Sequence, residues 1–191
     1  MKKILIGTHN KGKFKEIAFL ISKKFKKISP ATLKIKSPQE TGNTFLSNSK
    51  LKVKFFSKFV NYPVISDDSG LCIKSLGNKP GIHTARLAKK KGNFLKAMKF
   101  ILNKLKKKKN RSAVFICNLS YKDSNGKIIS AEGKINGKIS NKILGKKGFG
   151  FDPIFIPNNE KVTFGQMSKT KKIKMDHRFN AFKKLKKKIR I

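Results

Sequence analysis

Acidic side chains are scarce in this chain. Its 191 residues include nine Asp and Glu against 48 Lys and Arg, for a formal net charge of +39. Arginine is scarce as well, and stands only at Arg86, Arg111, Arg178 and Arg190. Because sequence-specific nucleic-acid readers favour the bidentate contacts of arginine, a surplus made almost wholly of lysine argues against that class. Lysine accompanied by abundant Ile, Asn and Phe is typical of AT-rich coding, so we interpret the charge as compositional bias that attracts polyanions without sequence preference.

Long apolar runs and cysteines are also rare. The apolar runs fall well short of the roughly 18 residues of a membrane-spanning helix, and the run after Met1 is too short for a signal peptide. Cysteine occurs twice, at Cys72 and Cys117, each time within an apolar segment. Buried free thiols in a reducing cytoplasm explain this placement better than a disulfide or a metal site. We therefore expect a cytoplasmic protein without a membrane partner, long enough for one domain with a sizeable core.

Apolar periodicity predicts strands and helices along the chain. Strands are predicted over 2–7, 31–35, 112–121 and 127–135, with a further strand around 67–68 and a hairpin signal at 123–126. Helices are predicted over 14–21, 44–59 and 94–105 and within the basic segment 168–191. The segment 77–86 is predicted to be a loop, in which Arg86 either contacts phosphate or is solvated.

Two of the nine acids, Asp67 and Asp68, stand side by side after the apolar residues of a predicted strand. Adjacent side chains on a strand point to opposite faces, so one carboxylate is expected to face a cleft while the other holds the turn. Carboxylates in this position suit a divalent metal and chemistry on phosphate.

The segment Gly7–Lys13 has the G-x-x-x-x-G-K spacing of a phosphate-binding P-loop between a strand and a helix. That motif requires a Ser or Thr at the next position to ligate Mg²⁺, and this chain has Phe14. A triphosphate would still be suited by a helix N-terminus with Asn10 and Lys13 beside it. An ordinary strand-to-helix turn is the alternative.

Glycines alternate with phenylalanines in Gly148–Phe155, beside the carboxylate of Asp152. Such a loop lets backbone approach a planar ligand while aromatic rings stack on it, which favours a nucleobase; a packed aromatic turn is the alternative. Further along, His177 and Arg178 either donate hydrogen bonds to base carbonyls or phosphates, or are structural.

These fragments together resemble the inosine triphosphate pyrophosphatase family over nearly the whole chain. The family patterns are T-x-N-x-x-K-x-x-E, E-T-G-x-T-F, D-D-S-G-L…P-G…S-A-R, G-F-G-Y-D-P-I-F and K-x-x-x-x-H-R. The matching segments here, in the same order, are Thr8–Glu16, Glu40–Phe45, Asp67–Arg86, Gly148–Phe155 and Lys172–Arg178.

The resemblance implies an α/β fold with a long mixed β-sheet flanked by helices. It implies one two-lobed domain over 1–191 with a central substrate cleft, and a homodimer. It also implies Mg²⁺-dependent attack of water on the α-phosphate of ITP, dITP or XTP. The products are the nucleoside monophosphate and pyrophosphate, so the nucleotide pool is cleared of non-standard purines. A basic nucleic-acid-binding protein and a degenerate P-loop NTPase are the alternatives.

Carried over by position, Asp68 is expected to be the general base and a metal ligand, with Glu40 as a second metal ligand. Substrate contacts are expected from Ser69 and from two further sets of residues. The triphosphate set is Thr8, His9, Asn10, Lys11, Gly12 and Lys13. The base set is Phe149, Gly150, Phe151, Asp152, Lys172, His177 and Arg178.

The chain departs from the family pattern at several positions. Ser47 and Gln166 stand where the family has Glu, Thr84 stands for Ser, Phe151 for Tyr and Asp176 for Ser. The catalytic carboxylates are retained, so we expect activity with an altered metal affinity or base preference.

Overall fold

Strands and helices alternate along the chain in the computed structural model, which describes residues 1–189 and 191. The strands are β1 (Lys2–Ile6), β2 (Phe25–Ile28), β3 (Val64–Ile73), β4 (Lys79–Pro80), β5 (Ser112–Lys122), β6 (Ile128–Ile139) and β7 (Phe155–Pro157). The α-helices are α1 (Lys11–Leu20), α2 (Phe45–Phe56), α3 (Thr84–Lys90), α4 (Phe94–Lys104), α5 (Lys169–Ile173) and α6 (His177–Lys186). Short 3-10 helices lie at Ser57–Phe59, Lys74–Leu76, Gly81–His83 and Asp152–Ile154.

The strands form one mixed sheet in the order β2-β1-β3-β5-β6-β7. The short strand β4 pairs with β3 and stands outside this order. β1 pairs in parallel with both β2 and β3, and Ile6 lies opposite Ile65. β4 runs antiparallel to β3, and β7 antiparallel to β6. The predicted α/β fold with a mixed sheet flanked by helices is therefore confirmed.

The chain divides into two compact units, each assembled from separate segments. Unit 1 comprises residues 1–68, 117–133 and 178–191, and unit 2 comprises residues 69–116 and 134–177. The long strands β3, β5 and β6 each contribute residues to both units.

The second half of β1, Ile4–Ile6, is buried on both faces, which explains its apolar sequence, whereas Lys2 and Lys3 at its start are exposed. Because side chains alternate along a strand, Ile4 and Ile6 join one apolar cluster of unit 1 while Leu5 joins the other. Ile65 and Val64 of β3 divide in the same way. Helices therefore cover both faces of the sheet in this unit, with Ile17 of α1 and Phe182 of α6 in the first cluster and Val53 of α2 in the second.

Unit 2 has its own core, built on the other end of β3. Leu71 and Ile73 pack there with the apolar stripe of α4, whose buried residues are Ala97, Met98 and Ile101. An aromatic group completes this core, with the ring centroids of Phe115 and Phe155 4.6 Å apart and those of Phe155 and Phe164 5.4 Å apart. Cys72 of unit 2 and Cys117 of unit 1 are both buried and form no disulfide, as predicted.

The structure differs from the sequence prediction in four places. The strand predicted at 31–35 is wrong, because Pro30 opens a turn in which its carbonyl accepts hydrogen bonds from the backbone of Leu33 and Ile35; the strand in this region is β2. Helix α1 begins at Lys11, earlier than predicted, because Asn10 caps it. The basic C-terminal segment forms two helices, α5 and α6, and the segment 77–86 contains β4 and the start of α3.

No helix within residues 1–189 and 191 is both long and apolar enough to cross a membrane.

Helix α2 keeps a capping box although Ser47 stands where the family has Glu. The Thr44 hydroxyl accepts a hydrogen bond from the Ser47 backbone N–H at 3.0 Å, and the Ser47 hydroxyl accepts one from the Thr44 backbone N–H at 3.0 Å. A serine side chain is thus long enough to return the bond that Glu makes in the usual motif.

The Thr44 cap gives the first prediction. Replacing a capping Thr by Ala typically lowers the free energy of unfolding by about 1 kcal/mol. We expect this loss for Thr44→Ala and little change for Thr44→Ser, which keeps the hydroxyl. Urea denaturation of the two variants measures the difference, and equal midpoints would show that the cap contributes nothing.

Candidate functional site

The site residues of unit 1 begin with Asp67 on β3, whose side chain is fully buried. Its Oδ2 lies 3.2 Å from Lys13 Nζ and 3.3 Å from Arg178 Nη1. Arg178 also donates from Nε to Oε2 of Glu16 at 2.8 Å. Two cations and two carboxylates therefore form one network that links β3 to the first turns of α1 and α6.

The network explains the charge state of Asp67. Burial by itself raises the pKa of a carboxyl group, but the charges of Lys13, Arg178 and Lys52 outweigh it and hold the pKa of Asp67 well below its usual range. Asp67 is thus an anion that anchors cations, in agreement with the supporting role predicted for it.

Asp68, the next residue on β3, has a different environment. It is 3% exposed, and its Oδ2 accepts a hydrogen bond from Nδ2 of Asn48 at 2.9 Å. The other end of the Asn48 amide accepts a hydrogen bond from the Gly42 backbone N–H at 2.8 Å, so a neutral side chain joins Asp68 to the loop that carries Glu40. Burial, with a smaller repulsion from Glu40, raises the pKa of Asp68 despite Lys13, Lys52 and Asn48.

Lys52 is a charged residue of this site that sequence reasoning missed. Its Nζ donates to Oε1 of Glu40 at 3.1 Å and to the backbone carbonyl of Asp67 at 2.6 Å. Burial lowers the pKa of a lysine, yet the carboxylates of Asp67, Glu40 and Asp68 together raise the pKa of Lys52. Its position was readable in principle: Lys52 stands four residues after Asn48, next to Val53 on the buried face of α2, where an unpaired lysine would be unfavourable.

The predicted triphosphate set follows β1 and enters the first turn of α1. Thr8 is buried, and its hydroxyl accepts a hydrogen bond from the Asn10 backbone N–H at 3.2 Å, while Asn10 accepts one from the Lys13 backbone N–H at 3.0 Å. His9 and Lys11 are exposed and Gly12 is half-buried. A hydrogen bond to the Ser37 hydroxyl, 2.6 Å from its Nδ1, fixes the orientation of the His9 ring.

Gly7 is required by packing in this loop. A Cβ at this position would lie 2.2 Å from the Ser66 hydroxyl and 2.5 Å from the Phe56 ring. The resemblance to a P-loop glycine therefore arises from close packing of β1 against β3 and α2. Phe14, the residue that departs from the P-loop motif, packs against the apolar cluster of unit 1 that contains Ile4, Ile6 and Ile17.

In unit 2, Asp152 organises the glycine–phenylalanine loop. Its Oδ2 accepts hydrogen bonds from the Phe149 backbone N–H at 2.8 Å and from Lys172 Nζ at 2.6 Å. Lys172 Nζ also lies 4.6 Å from the centroid of the Phe149 ring. Gly148 has a φ of +74°, and a Cβ there would meet the Asp152 carboxylate, so only glycine fits this turn.

Three of the predicted base-set residues have structural partners in place. The His177 ring stacks on Phe115, with centroids 4.8 Å apart and an interplanar angle of 11°. The Phe151 ring is buried in the core of unit 2 against the edge of Phe94, so Phe149, half-buried, is the phenylalanine of this loop nearer the surface. Arg178 belongs to the network of Asp67 in unit 1.

Two further departures from the family pattern retain polar roles. The Thr84 hydroxyl accepts a hydrogen bond from the Leu71 backbone N–H at 2.9 Å and donates to the Gly81 carbonyl at 2.7 Å. The Gln166 side-chain carbonyl accepts a hydrogen bond from the Thr163 backbone N–H at 3.0 Å. Thr84 therefore supplies a hydroxyl, and Gln166 an acceptor, that hydrogen-bond to the backbone of this unit.

The carboxylates of Asp68 and Glu40 are the residues that could hold a metal. Mg²⁺ takes hard oxygen ligands, commonly one or two carboxylates, and completes its shell with water and phosphate oxygens. The repulsion between these two groups, which contributes to the raised pKa of Asp68, is what a cation would relieve. Within the described part of the chain no group of three or more His, Cys, Asp or Glu could hold a metal ion. The donor set therefore fits Mg²⁺ that shares its shell with a phosphate substrate.

The second prediction concerns the buried charge of Asp67. We expect Asp67→Asn to lower the free energy of unfolding by about 3 kcal/mol at pH 7, because Lys13 and Arg178 would lose a buried counter-charge. A depressed pKa stabilises the fold above the unfolded pKa, near 3.9, and this stabilisation is lost as the pH falls further. Urea denaturation of wild type and variant from pH 7 to pH 3 should therefore show a gap that narrows below about pH 4.

Asp123→Asn is the control, because this half-buried hairpin carboxylate accepts a hydrogen bond that an Asn side chain can also accept. Its stability should stay within about 0.5 kcal/mol of wild type. A gap for Asp67→Asn that stays constant to pH 3 would show that the charge of Asp67 is not what stabilises the fold.

Comparison with known proteins places this geometry in a family. A sequence model of the Ham1 family matches residues 4–188. The chain is 37% identical over 186 residues to a dITP/XTP pyrophosphatase of Caulobacter vibrioides, with 96% of each chain covered. It is 40% identical over 197 residues to a dITP/XTP pyrophosphatase of Borrelia duttonii, covering 98% of this chain and 96% of that one. The solved structure of the Staphylococcus aureus Ham1 protein matches it with a TM-score of 0.86 at 33% identity and 97% coverage of both chains. The resemblance seen in the motifs is confirmed, and this chain belongs to the Ham1 family.

Proposed function

We propose that this protein hydrolyses the non-standard purine nucleoside triphosphates ITP, dITP and XTP to the nucleoside monophosphate and pyrophosphate. The observation that carries the proposal is Asp68, a buried carboxylate with a raised pKa that lies among the cations Lys13 and Lys52. The name dITP/XTP pyrophosphatase, borne by relatives that match nearly the whole chain, supports the choice of substrate.

Asp68 serves as the general base. Its raised pKa makes it a better proton acceptor than an ordinary aspartate. It takes a proton from a water molecule whose oxygen bonds to the α-phosphorus. The bond from that phosphorus to the bridging oxygen breaks, and pyrophosphate leaves with this oxygen. The Asn48 amide holds the carboxylate in position throughout.

The triphosphate is assigned to residues of unit 1. Thr8, His9, Asn10, Lys11, Gly12 and Lys13 form the turn and first helical turn that receive the phosphates, where backbone N–H groups and a helix N-terminus favour anions. To this set we add Lys52, whose protonated amine stands beside Glu40 and the backbone of Asp67. Positive charge near the leaving group stabilises the transition state.

Asp68 and Glu40 are the ligands we propose for Mg²⁺. When bound, the ion neutralises charge that develops on the phosphate oxygens. Ser69, half-buried directly after Asp68 on β3, is proposed to contact the substrate.

The base is assigned to the loop of Phe149, Gly150, Phe151 and Asp152, together with Lys172, His177 and Arg178. Donors aimed at the O6 carbonyl of hypoxanthine or xanthine would meet an amino group in adenine. Leaving buried donors unpaired strongly weakens binding, so adenine nucleotides are rejected. Asp152 supports this pocket by fixing both the Lys172 amine and the Phe149 backbone.

A homodimer is part of the proposal and is supported by the family resemblance alone. Sedimentation equilibrium should give twice the 21.6 kDa mass of one chain; a single-chain mass at micromolar concentration would contradict it. The proposed compartment is the cytoplasm, where the thiols of Cys72 and Cys117 would stay reduced, and cell fractionation tests this.

The third prediction tests the reaction. With Mg²⁺ present, we expect pyrophosphate release from ITP, dITP and XTP at a kcat/KM at least about 100-fold above that for ATP, because of the unpaired donors. Asp68→Asn should lower kcat by about 100-fold or more, since a general base contributes that much. Activity should be lost with a chelator and restored by Mg²⁺.

Asp123→Asn serves again as the control and should retain full turnover. Orthophosphate as the first product, or equal cleavage of ATP and ITP, would contradict the proposal. Tight DNA or RNA binding that keeps a sequence preference at high salt and persists in Asp68→Asn would instead favour a nucleic-acid-binding protein.

A further inference from the structure

Unit 2 contains an apolar cavity of about 320 Å³ that the proposed reaction does not use. Its apolar lining comes from four neighbouring elements, the 3-10 helix at Lys74–Leu76, β4, α3 and α4, and consists of Leu76, Pro80, Leu87, Phe100 and Ile101. Leu76, Leu87 and Phe100 are only partly buried against the core of the unit, so part of each side chain faces the cavity. The volume lies at the lower end of the range for small-molecule sites, about 300–1,000 Å³.

The other lining residues are all basic. Lys79, Arg86 and Lys90 are exposed cations, and His83 stands among them. Arg86 is held at this position, because its Nη1 lies 3.0 Å from His83 Nδ1. The cavity therefore joins an apolar interior to a positively charged rim.

We propose that this cavity binds a small amphiphilic organic anion, of the class of medium-chain alkyl carboxylates. The alkyl chain would be removed from water by the leucines, Pro80 and Phe100, and the carboxylate would lie at the rim near Arg86 and Lys90. A nucleotide is a poor occupant, since its polar base and ribose would gain little from an apolar lining.

At this cationic rim, charge complementarity favours an anion over a second copy of the chain. All nine Asp and Glu residues are buried or half-buried, whereas lysines are exposed along most of the chain. A second copy would therefore bring a predominantly cationic surface to a cationic rim. An anionic ligand would bring the opposite charge to this rim.

Calorimetric titration with hexanoate, heptanoate and octanoate tests the apolar part of the site. Each added methylene that enters the cavity should strengthen binding about four-fold. Methyl octanoate, which has the chain without the charge, should bind more weakly than octanoate. Affinity that is independent of chain length would show attraction to the basic surface alone and would overturn the proposal.

Two adjacent lysines of α3 test the rim. Lys90 lines the cavity, and Lys89 is equally exposed but does not belong to the lining. We expect Lys90→Gln to weaken octanoate binding about three-fold or more and Lys89→Gln to leave it within about 1.5-fold, since partly exposed ion pairs contribute at this level. Both variants should retain wild-type ITP turnover and thermal stability, so failure here is separable from failure of the proposed reaction. Equal weakening by the two substitutions, or octanoate binding that appears only as a dimer dissociates, would overturn the proposal, the latter by showing that a second copy covers the cavity.

Discussion

The buried ion pairs of Asp67 are the constraint on which unit 1 depends. One carboxylate on β3 holds Lys13 of α1 and Arg178 of α6, and Arg178 in turn holds Glu16. A charge this far from water is tolerated only with its partners in place, so the network ties both helices to the strand. It also holds the first turn of α1 against β3, and with it the turn proposed to receive the triphosphate.

The adjacent carboxylates Asp67 and Asp68 have opposite pKa shifts because their environments differ. Asp67 contacts two cations and has a depressed pKa, whereas Asp68 contacts the neutral amide of Asn48, is repelled by Glu40 and has a raised pKa. Strand alternation explains the difference, because it sends consecutive side chains to different partners. The proposal that Asp68 is the base depends on this separation.

Negative and positive side chains are distributed differently between the interior and the surface. The few carboxylates are all buried or half-buried, and most take part in a hydrogen bond or an ion pair with a lysine, an arginine or an amide. The surface is left predominantly to lysine, so anionic ligands are attracted wherever they approach, and specificity must come from shaped sites. The proposed nucleotide residues and the apolar cavity of unit 2 are two such sites with different chemistry.

The sequence alone was enough for the family, the α/β class, most elements and the acidic pair, because motif spacing and apolar periodicity are local properties. It misplaced the second strand at 31–35, since Pro30 and the pairing of Phe25–Ile28 with β1 outweighed local propensity. It missed Lys52: the place of this lysine on the buried face of α2 was a local signal, but its pairing with Glu40 and Asp67 exists only in the folded chain. The ion pair between Arg178 and Glu16, 162 residues apart, and the opposite pKa shifts of Asp67 and Asp68 were likewise decided by tertiary structure, since burial and charge neighbours exist only in the folded chain.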